Sequence, residues 1–143
     1  MSCSRPEFAS NRFPSGKTSG RTLTNTPSAR LLLDAGDTDG ACNRAYYAMF
    51  DAARAALADE TPPEPARTHN GLIAAFGLRL IKTGRLPREL GRMLNRAEEV
   101  RLLADYTGGE VEPQDARELL SQAEAFVRAV RDHLAGAAAV RDA

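Results

Sequence analysis

Apolar residues recur at helical spacing from residue 28 to residue 134, and the breaks between the runs divide this part of the chain into five predicted helices. Ser28 is placed to cap a short first helix through Ala29, Leu31, Leu32 and Leu33, stopped near Ala35-Gly36. Asp37, Thr38 or Asp39 can cap a second, over residues 39–59, in which Ala41, Ala45, Ala48, Ala52, Ala55 and Ala56 let a neighbouring helix approach closely. The proline-rich connector Thr61-Pro62-Pro63-Glu64-Pro65 cannot continue it. Thr68 then opens a third helix with a buried stripe of Leu72, Ile73, Phe76, Leu80 and Ile81, ending at Gly84. Pro87 sits at the first turn of a fourth, with Leu90, Met93, Leu94, Ala97, Val100 and Ala104 in phase behind it and Gly108-Gly109 as its stop. Glu112-Pro113 opens a fifth, carrying Ala116, Leu119, Leu120, Ala123, Phe126, Val127, Val130 and Leu134. No stretch alternates with a period of two, so the expected fold is all-α, an antiparallel bundle of four to five helices.

The ends of the chain read differently. Residues 1–27 are rich in Ser, Thr, Asn, Gly, Arg and Pro, with Phe8, Phe13 and Leu23 in no helical phase, and are expected to form a disordered N-terminal extension. Its basic residues (Arg5, Arg12, Lys17 and Arg21, with Arg30 beyond) face a single acid, Glu7, which offers a nucleic-acid-binding arm as the alternative. The bundle is expected over 28–135, and residues 136–143 as a frayed C-terminal tail.

Composition narrows the function by exclusion. Nineteen basic and nineteen acidic residues cancel, so no global field draws nucleic acid or an anionic membrane, although a local basic groove is compatible with that balance. Cys3 and Cys42 are too few and too far apart for a disulfide framework or a metal site, which fits a reducing cytoplasm. No apolar run reaches the roughly 20 residues that span a bilayer, and the N-terminus lacks the basic-then-apolar order of a signal peptide. No phosphate loop, nucleotide fingerprint, nucleophile elbow or metal-ligand spacing is present, so neither metal nor cofactor is expected.

Chemistry concentrates in two places. Asn43-Arg44-Ala45-Tyr46-Tyr47-Ala48-Met49-Phe50-Asp51 gathers two of the three tyrosines and sets Arg44, Tyr47 and Asp51 on one stripe of the second helix. Arg101 and Asp105 form an i, i+4 pair on the fourth helix, with Tyr106 one step round. Matched Arg, Asp and Tyr on two helices can satisfy one another across an interface and fix helix register, and this pairing is expected. The rival reading is a polar groove in which Arg44 and Arg101 bind a phosphate or an RNA backbone. His69, in Thr68-His69-Asn70, reads as a first-turn residue beside a cap.

Ala29-Arg30-Leu31-Leu32-Leu33-Asp34-Ala35-Gly36, Arg44-Ala45-Tyr46-Tyr47-Ala48-Met49-Phe50, Thr68-His69-Asn70-Gly71-Leu72, and Arg101 with Ala104-Asp105-Tyr106 together resemble the HEPN superfamily, in its small stand-alone bacterial and archaeal branch. The resemblance covers residues 28–135 in order. It implies a helical bundle, frequent homodimers, and a minimal nucleotidyltransferase partner encoded alongside in toxin–antitoxin-like pairs. Ribonuclease members carry an Arg, four to six residues and then a His, the Arg holding phosphate and the His moving protons around the attacking 2′-OH. Arg101 matches that Arg, but no His follows within range; Asp105 and Tyr106 stand there instead. A phenol of pKa near ~10 is a poor base at neutral pH, and an ionised carboxylate repels phosphate.

The resemblance therefore implies a non-catalytic interaction module that pairs with a nucleotidyltransferase and binds nucleotide or RNA. Its alternatives are a metal-independent ribonuclease toxin and a purely structural homodimer. Arg101, Asp105 and Tyr106 are the catalytic candidates, and Arg44, Tyr47, Asp51 and His69 the ligand-binding ones.

Overall fold

A computed structural model describes residues 19–60, 68–108 and 111–142. These residues form five helices and no strand: α1 (Ser19–Asp34), α2 (Thr38–Ala58), α3 (His69–Phe76), α4 (Arg88–Thr107) and α5 (Pro113–Asp142). The expected all-α bundle is the observed fold.

Helix α2 is its axis, packing on all four other helices. Its alanines Ala41, Ala45, Ala48, Ala52, Ala53 and Ala56 are all buried, and the short side chains let neighbours close in around Tyr46, Met49, Phe50 and Leu57. Asp37 caps α2 by accepting a 2.9 Å hydrogen bond from the Gly40 amide. A Cβ at Gly40 would crowd that carboxylate, so a larger residue there would make the Asp37 side chain shift to keep the cap. From α5, Leu119, Leu120, Ala123, Phe126, Val127 and Val130 complete the core, and Phe126 meets Phe76 of α3 with ring centroids 5.5 Å apart.

Helix α3 begins as expected. Thr68 is its cap, the hydroxyl accepting from the Gly71 amide at 2.9 Å. The helix then widens into a π-helical stretch, Gly77–Ile81, where the Lys82 amide reaches back five residues to the Gly77 carbonyl at 2.8 Å. At the end of α2 the buried Glu60 carboxylate pairs with Arg85 and lies 4.0 Å from Arg79, tying α2 to the α3–α4 connection. Gly108 ends α4 in the left-handed conformation (φ 68°), and the Val111 amide then donates to Asp39 at 3.0 Å, pinning the start of α5 against the start of α2.

Two expectations about the ends need correction. Helix α1 starts at Ser19, not at a Ser28 cap, and runs through Pro27. A mid-helix proline removes one backbone bond and crowds the preceding turn. Tertiary contacts outweigh that here: Asn25 and Ala29 are buried, Leu33 packs on the core, and Arg30 pairs with Glu124 of α5 at 2.6 Å. That ion pair, its hydrogen bond first, raises the Arg30 pKa. The boundary placed between 27 and 28 therefore falls inside a helix, and the part of the expected extension up to residue 18 lies outside the described residues. At the other end, α5 continues through Gly136 to Asp142, where a frayed tail was expected after Ala135. Alanines at 135 and 137–139 keep helix propensity high enough to carry one glycine.

Candidate functional site

The polar stripe on α2 and the charged end of α4 do not meet as expected. Arg44 and Asp51, seven residues apart and therefore on one line of the helix, face α1. Asn25 donates to Asp51 at 3.4 Å and accepts from Arg44 at 3.5 Å, both long bonds. Asp51 is almost completely buried at the α1–α2 interface, whereas Arg44 is exposed at its edge. These two residues fix the docking of α1, and the pairing expected with Arg101 and Asp105 is replaced by contacts of Tyr46.

Tyr46 lies on the other side of α2 and is fully buried. Its hydroxyl is 3.0 Å from Nδ1 of His69, the first residue of α3. Its ring supports the Arg101 guanidinium, whose carbon sits 5.0 Å from the ring centroid. Phe50, one turn further along α2, stacks on Tyr46 at 5.8 Å and packs against the His69 ring at 4.5 Å, while Arg54 covers the outer part of Phe50 at 4.8 Å. Tyr47, partly exposed, meets both Tyr46 (5.3 Å) and His69 (6.1 Å) edge to face. The block read from sequence is thus an aromatic cradle with a histidine at one rim and an arginine at the other.

Arg101 is held on its own helix as well. It donates to Glu98 at 3.4 Å and to Asp105 at 3.2 Å. Burial opposes its charge, but Glu98, Tyr46 and Asp105 more than offset this and raise its pKa. Burial also pushes the Tyr46 phenol well above its ordinary value, the nearby Glu98 carboxylate adds to the shift, and Arg101 reverses only part of it. Tyr46 is therefore a neutral hydroxyl at any physiological pH. Within this tight arrangement Glu98 Oε1 and Arg101 Nε are buried without a hydrogen-bond partner.

Of the candidates, the cradle collects Arg101, Asp105, Tyr47 and His69. Tyr106, at 92% exposure, points to solvent beside Leu102 and Leu103. Sequence reasoning passed over Tyr46 and Glu98. For Tyr46 the signal was available in its spacing of four from Phe50, which places both rings on one face. Glu98, three residues before Arg101, offered the same i, i+3 cue. Among the described residues no three His, Cys, Asp or Glu side chains gather in a way that could hold a metal ion. None of the described helices is long and apolar enough to cross a membrane.

Chemically, the site offers one arginine already engaged by two carboxylates and an aromatic face, and one imidazole whose Nδ1 is engaged by a buried phenol. A phosphate approaching Arg101 would meet Glu98 and Asp105 at the same point, and an anion there must displace them or neutralise them.

Comparison with known proteins places this arrangement. The HEPN domain family model matches residues 21–133. A UPF0332 protein of Gloeobacter violaceus is 39% identical over 117 residues, covering 80% of this chain and 91% of its own length. A second UPF0332 protein, from Thermotoga maritima, is 35% identical over 105 residues, covering 71% and 76% respectively. A protein of Methanocaldococcus jannaschii that is named as a candidate toxin is 31% identical over 110 residues, covering 77% of this chain and 81% of that one. With the match running from residue 21 in α1 through all of α2, α3 and α4 and into α5 as far as residue 133, the chain belongs to the HEPN family.

Proposed function

We propose that this protein is a non-catalytic HEPN interaction module of a toxin–antitoxin-like system, which pairs with a nucleotidyltransferase encoded beside it and takes RNA or nucleotide as a further ligand. The observation that carries this reading is the state of Arg101. The residue that would clamp phosphate in a ribonuclease is stacked on Tyr46 and bonded to Glu98 and Asp105, with no histidine in the following turn. An arginine so engaged stabilises helix packing and must give up those contacts to serve a reaction. Relatives named as candidate toxins support membership of a toxin-like group. Co-expression of the chain with an adjacently encoded nucleotidyltransferase tests the pairing. A stable complex through purification and gel filtration is expected, and two separate species would contradict it.

A metal-independent ribonuclease is the second reading, and one observation favours it. Tyr46 touches both His69, through its hydroxyl, and Arg101, through its ring face, so the bundle gathers an imidazole and a guanidinium around one side chain. In that reading His69 supplies the base that the fourth helix lacks. The third, a purely structural homodimer, would show itself as a dimer in sedimentation with no partner protein and no RNA affinity.

A further inference from the structure

Basic charge is concentrated at the turn between the π-helical stretch and α4. Residues 79–92 carry five of the chain's nineteen cationic side chains, Arg79, Lys82, Arg85, Arg88 and Arg92, against one acid, Glu89. The chain as a whole has no net charge, so this is a segregation, and α4 shows it along its length. Arg88, Arg92 and Arg96 outnumber Glu89 in its first half, whereas Glu98, Glu99 and Asp105 outnumber Arg101 in its second. The fold draws the cations together. The Leu86 amide donates to the Leu80 carbonyl and the Gly84 amide to the Ile81 carbonyl, both at 3.0 Å, with Gly84 in the left-handed conformation (φ 83°). The turn thus folds back until α4 packs on Ile81, which a Cβ at Gly91 would meet at 3.4 Å. Arg88 and Arg92, four residues apart, share one face of α4.

Most of these cations are open to a ligand. Arg79 lies 4.0 Å from the buried Glu60 carboxylate, and Arg85 bonds to the same group yet keeps its side chain 54% exposed. Lys82, Arg88 and Arg92 are exposed, and among the described residues none of them pairs with an acid. Pro87 gives α4 no side-chain cap, so the positive end of the helix adds to the same surface. Like charges held side by side repel one another and gain from a polyanion laid across them. Leu80, Leu86 and Leu90 are buried, and the large apolar side chain exposed in this region is Leu78. The surface therefore offers charge without the apolar centre on which a protein partner or an interfacial helix relies. Three of its exposed cations are guanidinium groups, whose planar forks match phosphate oxygens.

We propose that this turn binds the phosphate backbone of single-stranded RNA through Lys82, Arg85, Arg88 and Arg92, one phosphate to each. The proposal rests on the reading of RNA as a ligand of this module, and it gives that ligand a seat apart from the aromatic cradle. Arg88 and Arg101 are thirteen residues apart on α4, about 20 Å along the helix. At Arg101 a phosphate meets Glu98 and Asp105, whereas at the turn Glu89 is the one acid among residues 79–92. Contacts to phosphate read no bases, so the binding is independent of sequence.

Fluorescence anisotropy of a labelled oligouridylate of about 20 nucleotides on the full chain tests it. Four phosphate contacts predict binding about fiftyfold weaker at roughly 200 mM than at roughly 50 mM salt, a log–log slope of about −2.8. The double variant Lys82→Ala, Arg88→Ala is expected to halve that slope and to weaken binding at the lower salt at least about tenfold, with an unchanged circular dichroism spectrum. Arg117→Ala, Arg128→Ala, which removes the same charge from exposed positions on α5, is expected to bind within about twofold of the parent chain. Equal losses in the two double variants would overturn the site, since net charge alone would then explain the binding. Tighter binding of oligothymidylate, polyglutamate or phosphatidylserine vesicles at matched salt would also overturn it, in favour of DNA, an acidic protein or a membrane. If the turn variant binds RNA as the parent does, this site falls while RNA stands as a ligand of the module. If the parent binds no RNA, this site and the RNA part of the module reading both fall, and pairing with the nucleotidyltransferase is decided separately by co-purification.

Discussion

The hydroxyl of Tyr46 lies 3.0 Å from Nδ1 of His69, and this contact joins the buried centre of α2 to the exposed start of α3. It decides what the histidine can do. The phenol and the imidazole share one hydrogen bond, in which the donor is set by the tautomer of His69. Phe50 and Tyr47 hold the imidazole ring from two sides. The histidine is thus part of the packing of α3 on α2 before it is anything else.

Removing only that hydroxyl should therefore be felt as a modest loss of stability. Tyr46→Phe is expected to cost about 1 kcal/mol, because half-buried His69 can turn to water. Tyr46→Ala, which empties a fully buried site and removes the face under Arg101, is expected to cost about 3–5 kcal/mol. Urea unfolding of the two variants against the parent chain measures both.

The role of Arg101 predicts a direction that separates packing from catalysis. Arg101→Ala is expected to destabilise the fold by about 1–3 kcal/mol, through loss of the stack on Tyr46 and of a partner for Glu98. Arg101→Lys should recover only part of this, since an ammonium cannot reproduce the planar stack and the two-sided bonding. An arginine held for chemistry at the expense of the fold would instead leave stability unchanged or raised on removal. Thermal unfolding of the two variants gives the answer.

At the α1–α2 interface, Asn25→Ala is expected to cost about 1–2 kcal/mol, because it takes a hydrogen-bond donor from a buried carboxylate, Asp51. Asp51→Asn should be milder than Asp51→Ala, keeping shape and part of the bonding. Chemical denaturation of the three variants tests the assignment of this stripe to α1 rather than to α4.

High pH should unfold the protein through two buried acids. Burial, helped by Asp39 and Asp115, pushes the Cys42 thiol from 9.0 up to about 11, and Tyr46 is raised in the same direction. Both groups are neutral in the fold and ionise more readily in the unfolded chain. Their contribution is whole below pH 9, and the thiol's part is lost as pH climbs from 9 to about 11. A loss on the order of 1–3 kcal/mol is expected from the thiol. Melting temperatures measured from pH 8 upward should fall, and Cys42→Ala, less stable at neutral pH, should fall less steeply across that window.

Much of the fold was legible because helix punctuation here is explicit. Thr68, Gly84, Gly108 and Pro113 act where the sequence puts them, and the apolar phases of α2, α4 and α5 are the buried faces. Pro27 misled because its local cost is visible in sequence, whereas the packing of Asn25, Ala29 and Arg30 that offsets it is not. The site was legible in its residues but not in its pairings. Arg44 and Asp51 share one line of α2 and Tyr46 another, and only the tertiary arrangement shows which line faces α1 and which faces α4. The approach of His69 to Tyr46 could not be read at all, since 23 residues and a proline-rich connector separate them.

On the proposed function, Arg101 and its surroundings hold and bind but do not cut. Incubating the purified chain with total RNA in excess chelator, and following fragment lengths over hours, tests this most directly. RNA is expected to remain intact with the parent chain, Arg101→Ala and His69→Ala alike. RNA fragmentation by the parent chain that either folded variant abolishes would contradict it and establish the ribonuclease reading in its place.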